Sequence, residues 1–480
     1  MTFTQRSSLS DRSTASSWLQ LRQLPLCAVL LLLMGCQSDR VVKPASYTAP
    51  SLTLPERYKY AELNWVETSK VSSTASSWWQ LYQDPVLNQL LQRLNQENLD
   101  IQQAAARYRQ AYAVLERADA EVLPKFNLSA DSSRSGGRHI SSSEQQKTAL
   151  SVSWVPDVWG RIAKATEGQQ ANVAASQADL AAVQLQQQLL AVQAYWAIRL
   201  HDLQLDVLAQ TQASYRRSEQ ILQHQYQAGA LAKVDLVQAQ SQTKRVEIAI
   251  LQQKKLRVQQ ENILAVLMGQ AVTDFHLSKQ AHRWKLPQIP TQLPSVLLGQ
   301  RPDIIHAERQ LAYVHAELGL AETAWLPDVR ISLDQQLNGQ TLKQLFQSPN
   351  LLWSVGVGAA IKVFDGKQRQ AEIDQAQARY QEKLAGYKHS VLNAWKEVED
   401  VLYQSENLRL QGISQQQLLD LALANEQMVL QRYRAGLVSY LEVVASQNSR
   451  LEAEQALLEL DYAKVSQSAQ LIAALGGQWS

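Results

Sequence analysis

The 480-residue chain contains the same sequence pattern twice. Tyr226-Gln227-Ala228-Gly229 is matched by Tyr433-Arg434-Ala435-Gly436, 207 residues further along. At the same distance Leu267-Met268-Gly269 is matched by Ala474-Leu475-Gly476, and 203 residues separate Leu123-Pro124 from Leu326-Pro327. Because the matches keep their order across most of each half, the chain is predicted to fold as two homologous halves.

Each half is predicted to contain a helix, two strands and two further helices. In the first half, Asp84-Pro85 begins a helix that runs to Val122, and Pro124 ends it. Apolar and polar residues then alternate with the period of a half-buried strand from Phe126 to Asp131, and again from Leu150 to Trp154. The segment Ser132 to Gln146 is predicted to be a polar tip between these strands.

The second half repeats the two strands. Val329, Ile331 and Leu333 alternate with polar residues, and the return strand carries Trp353, Val355 and Val357. With an expected length of about 9–11 residues, such strands are long enough to cross a bilayer when tilted. An apolar face opposite a small or polar face suits lipid on one side and water on the other. A strand pair in a soluble sandwich is the alternative interpretation.

The helices that follow the strands are predicted to be very long. From Arg161 to Gln225 there is no proline, so a helix there would extend about 90–100 Å. Its apolar residues recur with coiled-coil spacing, and so do those of the last helix. These residues are Leu185, Leu189, Val192, Trp196, Leu200 and Leu203, and Leu451, Leu458, Val465 and Ile472.

The N-terminus has the features of an exported lipoprotein. A basic leader precedes the apolar run Leu26 to Met34, which is about half the length of a membrane-spanning helix, and Gly35-Cys36 follows. This pattern is typical of a bacterial lipobox and predicts cleavage before Cys36 and acylation of that residue. An ordinary signal peptide that contains a cysteine is the alternative. Cys27 lies in the segment to be removed, so no disulfide and no cysteine metal site is expected.

Composition argues against several other functions. The formal net charge is only +2 and both signs are intermixed, which does not favour a nucleic-acid surface. The eight His have no metal-ligand spacing, and neither a phosphate-binding loop nor a Gly-x-Ser-x-Gly motif is present. Glu397 and Asp400 are interpreted as part of a solvated helix face. The sequence therefore predicts neither an enzyme nor a cofactor or metal site.

Four strands cannot close a barrel, and an open sheet edge in lipid would leave backbone groups without partners. Two copies would supply eight strands and three copies twelve. An eight-stranded barrel is filled by its own side chains, whereas more strands leave a lumen. If the function is passage, three is the smaller workable number.

The domain organisation predicted from these patterns has five parts. They are a cleaved signal peptide (1–35), a lipid-anchored extended segment (36–84), a first repeat (85–270, strands within 125–158), a connector with Pro287, Pro290 and Pro294 (271–300), and a second repeat (301–477, strands within 327–363).

Five motifs resemble the outer-membrane factor family, the TolC-like lipoprotein channels of the NodT/OprM type. They occur in the family's order over nearly the whole mature chain. They are Trp154-Val155-Pro156-Asp157-Val158-Trp159-Gly160-Arg161, Gln300-Arg301-Pro302-Asp303-Ile304, Val363-Phe364-Asp365-Gly366, Glu397-Val398-Glu399-Asp400, and Tyr433-Arg434-Ala435-Gly436-Leu437 with Tyr440-Leu441-Glu442-Val443.

The resemblance implies a fold that is mainly α with membrane β strands. Three copies would form a 12-stranded β-barrel in the outer membrane, continuous with a 12-helix periplasmic α-barrel. It also implies a closed periplasmic aperture, with Asp235 and Glu442 at acidic positions and Tyr433 in a hydrogen-bonding latch whose arginine is Arg434 or Arg432. Ala445 and Val438 depart from the family pattern, where a second Asp and an Arg often stand.

The function implied is a passive conduit for solutes, supplied by an inner-membrane pump through a periplasmic adaptor. The chain would be anchored in the cell outer membrane by lipid on Cys36. The alternative is a lipid-tethered periplasmic coiled-coil scaffold or adaptor without a pore. The four alternating strands favour the conduit, because an adaptor needs no amphipathic hairpins of bilayer length.

Overall fold

The computed structural model describes residues 47–50, 55, 58–59, 77–280, 284–287, 299–341, 343 and 351–477. The predicted signal peptide, Cys36, Pro290 and Pro294 lie outside these residues. The first half contains α1 (Pro85–Glu97), α2 (Leu99–Ala120), β1 (Lys125–Gly137), β2 (Ile140–Trp154), α3 (Arg161–Gln227) and α4 (Lys233–Leu267). The second half contains α5 (Pro302–Glu322), β3 (Asp328–Gly339), β4 (Leu351–Ala360), α6 (Gln368–Arg434) and α7 (Tyr440–Ala474).

The long helices of the two halves have the same lengths. α3 and α6 each contain 67 residues, and α4 and α7 each contain 35. At 1.5 Å per residue, α3 and α6 are each about 100 Å long. α3 continues through Gly168, where a Cβ atom would lie 3.1 Å from the Cβ of Ala316 on α5. Glycine at this position allows the two helices to approach closely.

The first helix of the chain differs from its prediction. Asp84 begins it as expected, since its carboxylate accepts hydrogen bonds from the backbone N–H groups of Val86 and Leu87. The helix then breaks at Asn98, whose extended backbone and side chain cap a new helix by accepting from Ile101 N. The second helix ends at Ala120 rather than Val122.

The four strands form one antiparallel sheet in the order β1-β2-β3-β4. The prediction of a polar tip over residues 132–146 is wrong, because β1 and β2 pair through most of it and only Arg138 and His139 separate them. The strands contain 13, 15, 12 and 10 residues, so three of them exceed the expected length. The polar residues of this segment have the composition of a loop, but they continue the strand and their backbone groups are paired.

The main core lies midway along the long helices. Its residues come from the 3₁₀ turn Trp78–Tyr82, from α1, from the middle of α3 and α6, and from the C-terminal parts of α4 and α7. Val192 and Trp196 of the predicted coiled-coil series are buried there, as are Val465 and Ile472, and Leu185 and Leu189 pack against the same core. The predicted spacing is thus confirmed as the face that packs against the other helices.

Candidate functional site: the sheet edges and the hairpin tips

One face of the sheet exposes large apolar side chains. Phe126 and Leu128 of β1 are 68% and 75% exposed, and Trp353 and Val357 of β4 are each 74% exposed. A water-soluble protein rarely presents a contiguous apolar surface of this kind. The opposite face carries Ser, Gly, Asn and Asp along the same strands. The sheet therefore has one side suited to lipid and one suited to water.

The two outer strands each have a free edge. Within the described residues, β1 pairs only with β2 and β4 only with β3. Unpaired N–H and C=O groups cannot be left in hydrocarbon, because no water is present there to bond them. The sheet is therefore incomplete as a membrane-spanning structure.

Aromatic and charged side chains fix the sheet to the helices. The indole Nε1 of Trp154 donates to Val122 O over 2.9 Å, and that of Trp159 donates to Pro327 O over 2.8 Å. The Arg161 guanidinium pairs with Asp328 at 2.6 Å. The Trp159 and Arg161 contacts join the first half to the second, and they explain why the strand-exit motif contains these residues.

The opposite end of the molecule is formed by two helix–helix turns. Gly229 and Gly436 have φ values of 73° and 74°, in the left-handed region where glycine is favoured. Each turn has the same pair of backbone hydrogen bonds, from Gly229 N to Tyr226 O and Ala230 N to Gln225 O, and from their counterparts at Gly436 and Leu437. The two turns thus end the helices in the same Schellman-type geometry.

A small apolar cluster holds the tips together. It contains Leu222, Leu236, Ala239, Tyr440, Val443 and Val444, with Tyr433 partly buried against it. The rings of Tyr433 and Tyr440 lie 5.7 Å apart between centroids. Burial raises the pKa of Tyr440 to about 12, with the neighbouring phenols and Glu219 adding to the effect, so its hydroxyl stays neutral at physiological pH.

The four predicted aperture residues lie at or next to the two helix–helix turns. Burial, and then the negative charge of Asp235, raises the pKa of Tyr433. Arg434 and Glu442 are exposed. Among the described residues, neither of their side chains forms an ion pair within the chain. Their predicted role in a latch between copies stays a prediction.

A buried charge network near the middle of α3 was not anticipated from the sequence. Asp202 pairs with Arg199 at 3.0 Å and with Arg257 at 2.7 Å, and Arg257 also pairs with Glu261 at 3.0 Å. Arg199 and Arg257 also donate to the carbonyl groups of Ser278 and Leu277. The network therefore attaches the start of the connector to the first helical hairpin. The one available signal was an Arg-x-x-Asp pair inside an apolar helix face.

Glu397 lies on an exposed helix face, as predicted, and its carboxylate also pairs with Arg301 at 2.8 Å. Arg301 also donates to Ala474 O over 2.6 Å. This contact joins the start of α5 to the end of α7 and gives the Arg-Pro-Asp motif a structural role. Asp400 pairs with Lys396 on the helix surface, in agreement with the predicted solvated face.

Over the described residues, no helix combines the length and hydropathy that a membrane span requires. In the same part of the chain, no three His, Cys, Asp or Glu side chains cluster as metal ligands would.

Comparison with known proteins supports a channel protein. Among curated relatives, the chain is 29% identical to the cation efflux system protein CusC of Escherichia coli, over 95% of this chain and 98% of that protein. It is also 29% identical to the pyoverdine export outer membrane protein OpmQ of Pseudomonas putida, over 84% and 88% of the two chains.

Solved structures give the same result. A crystal structure of CusC, described in terms of transmembrane channel formation, superposes with a TM-score of 0.81 at 25% identity, over 90% of this chain and 99% of that one. The outer-membrane channel OprN superposes with a TM-score of 0.82 at 26% identity, over 92% and 99%. The family described as outer membrane efflux protein matches residues 90–270 and again 293–477. The chain therefore belongs to the outer membrane efflux protein family.

Proposed function

We propose that this protein is the outer-membrane channel of a tripartite export system, a passive conduit that moves solutes without converting them. One observation supports this proposal most strongly. A sheet that is apolar on one face is followed, beyond the contacts of Trp159 and Arg161, by helices about 100 Å long. A scaffold without a pore has no need for the sheet.

The working unit we propose is a homotrimer in outer-membrane lipid. Three copies would supply twelve strands, enough for a barrel with a lumen, and would remove every free sheet edge. Two copies would close only an eight-stranded barrel, whose interior its own side chains fill.

We further propose that the helical tips meet a periplasmic adaptor and, through it, an inner-membrane pump. Apolar side chains are exposed at both tips, among them Val234 (59%), Leu437 (69%) and Leu441 (57%). Such residues at the end of a long polar structure support a protein contact there. Relatives are named for efflux of cations, pyoverdine and toluene, which are chemically unlike. We infer that the pump and adaptor select the cargo.

At the tips we propose that Asp235 and Glu442 form a ring of acids around the aperture. They hold equivalent places in the two halves, in the first turns of α4 and α7. Threefold assembly would bring six carboxylates to one end of the tube, where they would favour cations over anions. The simpler reading is that both are helix-start acids stabilised by the helix dipole.

Single-channel recording in planar bilayers tests the proposal. We expect a trimeric preparation to conduct, with a preference for cations that weakens in the Asp235→Asn/Glu442→Gln variant. Glu452→Gln on the same helix is the control. Unchanged selectivity in the double variant would show that the acids only start helices. The complete absence of conductance, in the double variant as well, would favour the scaffold.

The anchor we propose is lipid on Cys36. Cys36→Ser should abolish incorporation of labelled palmitate and leave the precursor uncleaved by the lipoprotein peptidase. Cys27→Ser, in the segment expected to be removed, is the control and should be labelled normally. Label retained by the Cys36→Ser variant would contradict this assignment.

A further inference from the structure

In the sheet, the internal repeat preserves which residues pair with each other. Moving 203 residues from β1 reaches β3, and moving 207 residues from β2 reaches β4, as the matching motifs show. The pair Lys125–Ser153 of β1 and β2 is thereby carried onto Asp328–Ala360, which is an observed pair of β3 and β4. The two hairpins therefore have the same register.

The same relation holds where the helices join. Asn98 donates from its side chain to Leu267 O over 2.9 Å. The repeat carries these residues onto Arg301 and Ala474, and Arg301 donates to Ala474 O over 2.6 Å. The repeat thus predicts contacts as well as secondary structure, even where the residue type changes.

One contact between halves has no counterpart within the chain. β2 of the first half pairs with β3 of the second, and this inner seam includes Ser153 opposite Ser332. The equivalent seam would join β4 to β1. In one chain these strands lie at opposite edges of the sheet, separated by three strand spacings of about 4.8 Å each. Only another copy can supply it.

We infer that β4 of one copy pairs with β1 of the next in the register that the inner seam sets. The repeat carries Ser153 to Ala360 and Ser332 to Ser129, so Ala360 lies opposite Ser129 of the next copy. By the same step Gly358 lies opposite Asp131 of the next copy. This inference rests on the proposed assembly of copies and adds the residue register of their contact.

The faces of the strands agree with this register. Val355 and Val357 project from the apolar face of β4, and Phe126 and Leu128 from that of β1. The inferred pairing places residues of each face opposite residues of the same face, so that Ala359 lies opposite Ala130 and Val357 opposite Ser132 of the next copy. A shift by one residue would reverse this across the whole seam.

A helix position supports the same seam. Tyr112 of α2 is 49% exposed, although it is a large aromatic side chain. The repeat carries α2 onto α5, and α5 packs against both α3 and α6, whereas among the described long helices α2 packs against α3. A second copy whose α6 took the place of α3 would supply the helix that α2 lacks.

Paired cysteines test the register in the full-length protein in its membrane. Directly opposed residues lie about 4.5–5.5 Å apart at Cα, within reach of a disulfide, whereas diagonal neighbours two residues along lie about 7–8 Å apart. Mild oxidation of the Ala360→Cys/Ser129→Cys variant should give covalent dimers and trimers. Its yield should be about tenfold above that of Ala360→Cys with Asn127→Cys or with Asp131→Cys.

Three controls make the result readable. Ser153→Cys/Ser332→Cys is the equivalent pair within one chain and should form an internal disulfide. Single cysteine variants should give no covalent oligomer, and Gly358→Cys/Asp131→Cys should behave like the first matched pair. Gly358 has no atom within 4 Å of an added Cβ, so this substitution has room.

A higher yield from either shifted pair would overturn the register while leaving the trimer intact. No cross-link from any pair, in a preparation that is trimeric by mass and oxidises the internal control, would show that these edges do not meet. A preparation that associates but is not trimeric by mass would contradict the proposed function, and the yields among the pairs would still decide the register.

Discussion

Two glycines, Gly269 and Gly476, allow the ends of the long helical hairpins to contact the backbone next to the short helices. A Cβ atom at Gly269 would lie 2.7 Å from the carbonyl oxygen of Glu97, and one at Gly476 would lie 3.0 Å from that of Gln300. Both glycines also have positive φ values, 66° and 93°. These positions therefore need glycine for two reasons, backbone conformation and space, whereas the turn glycines need it only for conformation.

Gly269→Ala should destabilise the protein more than Gly229→Ala. The second substitution costs about 1–2 kcal/mol for a left-handed alanine, since nothing lies within 4 Å of its Cβ. The first adds an overpacking cost of about 1–3 kcal/mol. Thermal unfolding followed by circular dichroism at one fixed scan rate should rank the variants in this order. Equal losses would mean that α1 moves away freely at Glu97.

Tyr433→Phe should increase the open probability of the channel if the hydroxyl forms a latch between copies. One hydrogen bond contributes about 0.5–1.5 kcal/mol, and threefold symmetry would triple the effect. Tyr226→Phe is the matched control, because Tyr226 holds the equivalent place in the first hairpin turn. Single-channel recordings in which both variants behave like the parent would place the gate elsewhere.

The aperture residues show what sequence can and cannot predict about single side chains. Repeat matching put Asp235 and Glu442 at equivalent helix starts, and the structure has both in first turns. The contact of Tyr433 with Tyr440 was not predicted, because it depends on how one hairpin closes on itself. A latch between copies depends on a surface that no single chain contains, so it stays a prediction.

Helices and strands were predicted best where one period runs for many residues. α3 was expected from Arg161 to Gln225 and extends from Arg161 to Gln227. The break at Asn98 was missed because helical apolar spacing continues on both sides of it. The strands were cut short because Ser, Arg and Gln in β1 and β2 look like loop residues, although pairing satisfies their backbone.

The buried charge network controls how the connector is attached to α3 and α4. Asp202→Asn keeps the shape of the side chain but removes the carboxylate that both arginines share. Arg257 would keep its ion pair with Glu261, and Arg199 would lose its ion pair with residue 202. Breaking a buried pair in this way typically costs about 3–5 kcal/mol. Arg409→Gln is the matched control, since the repeat carries Asp202 to Arg409, which lies on the surface and pairs with Glu406.

Protease sensitivity provides a local readout for this pair of variants. We expect Asp202→Asn to expose residues 275–280 to cleavage and to lower the unfolding temperature, whereas Arg409→Gln should change neither. Equal behaviour of the two variants would indicate that the connector is held by its apolar contacts, such as Leu277 in the main core.

In the part of the chain that the structure describes, the sheet and the helical tips lie at opposite ends and differ in chemistry. The sheet carries the surface suited to lipid, the middle carries the packed core, and the tips carry exposed apolar and charged residues. Fold class and order of elements were predictable from the repeat and its periodicities. The position of the core was not, because long helices with a uniform spacing do not reveal where other elements cross them.

Val152→Arg should impair insertion far more than Ser151→Arg. Val152 faces Phe126 and Leu333 across the sheet, whereas Ser151 faces Asn127 and Asp334. An arginine on the lipid side costs about 2–4 kcal/mol near the bilayer midplane, but one on the water-facing side is tolerated. The yield of folded protein after refolding into vesicles measures the difference. A larger loss for Ser151→Arg would reverse the assignment of the two faces.

Because α3 and α6 have equal lengths, as do α4 and α7, the two helical hairpins end at the same distance from the sheet. Removing seven residues from both helices of one hairpin would leave its tip about 10 Å short of the other and produce a notched rim. The same deletion in both halves would shorten the tube and keep a level end. The span of the tube can therefore change only in paired steps, whereas the strand connections, two residues in one half and 340–350 in the other, are free to differ.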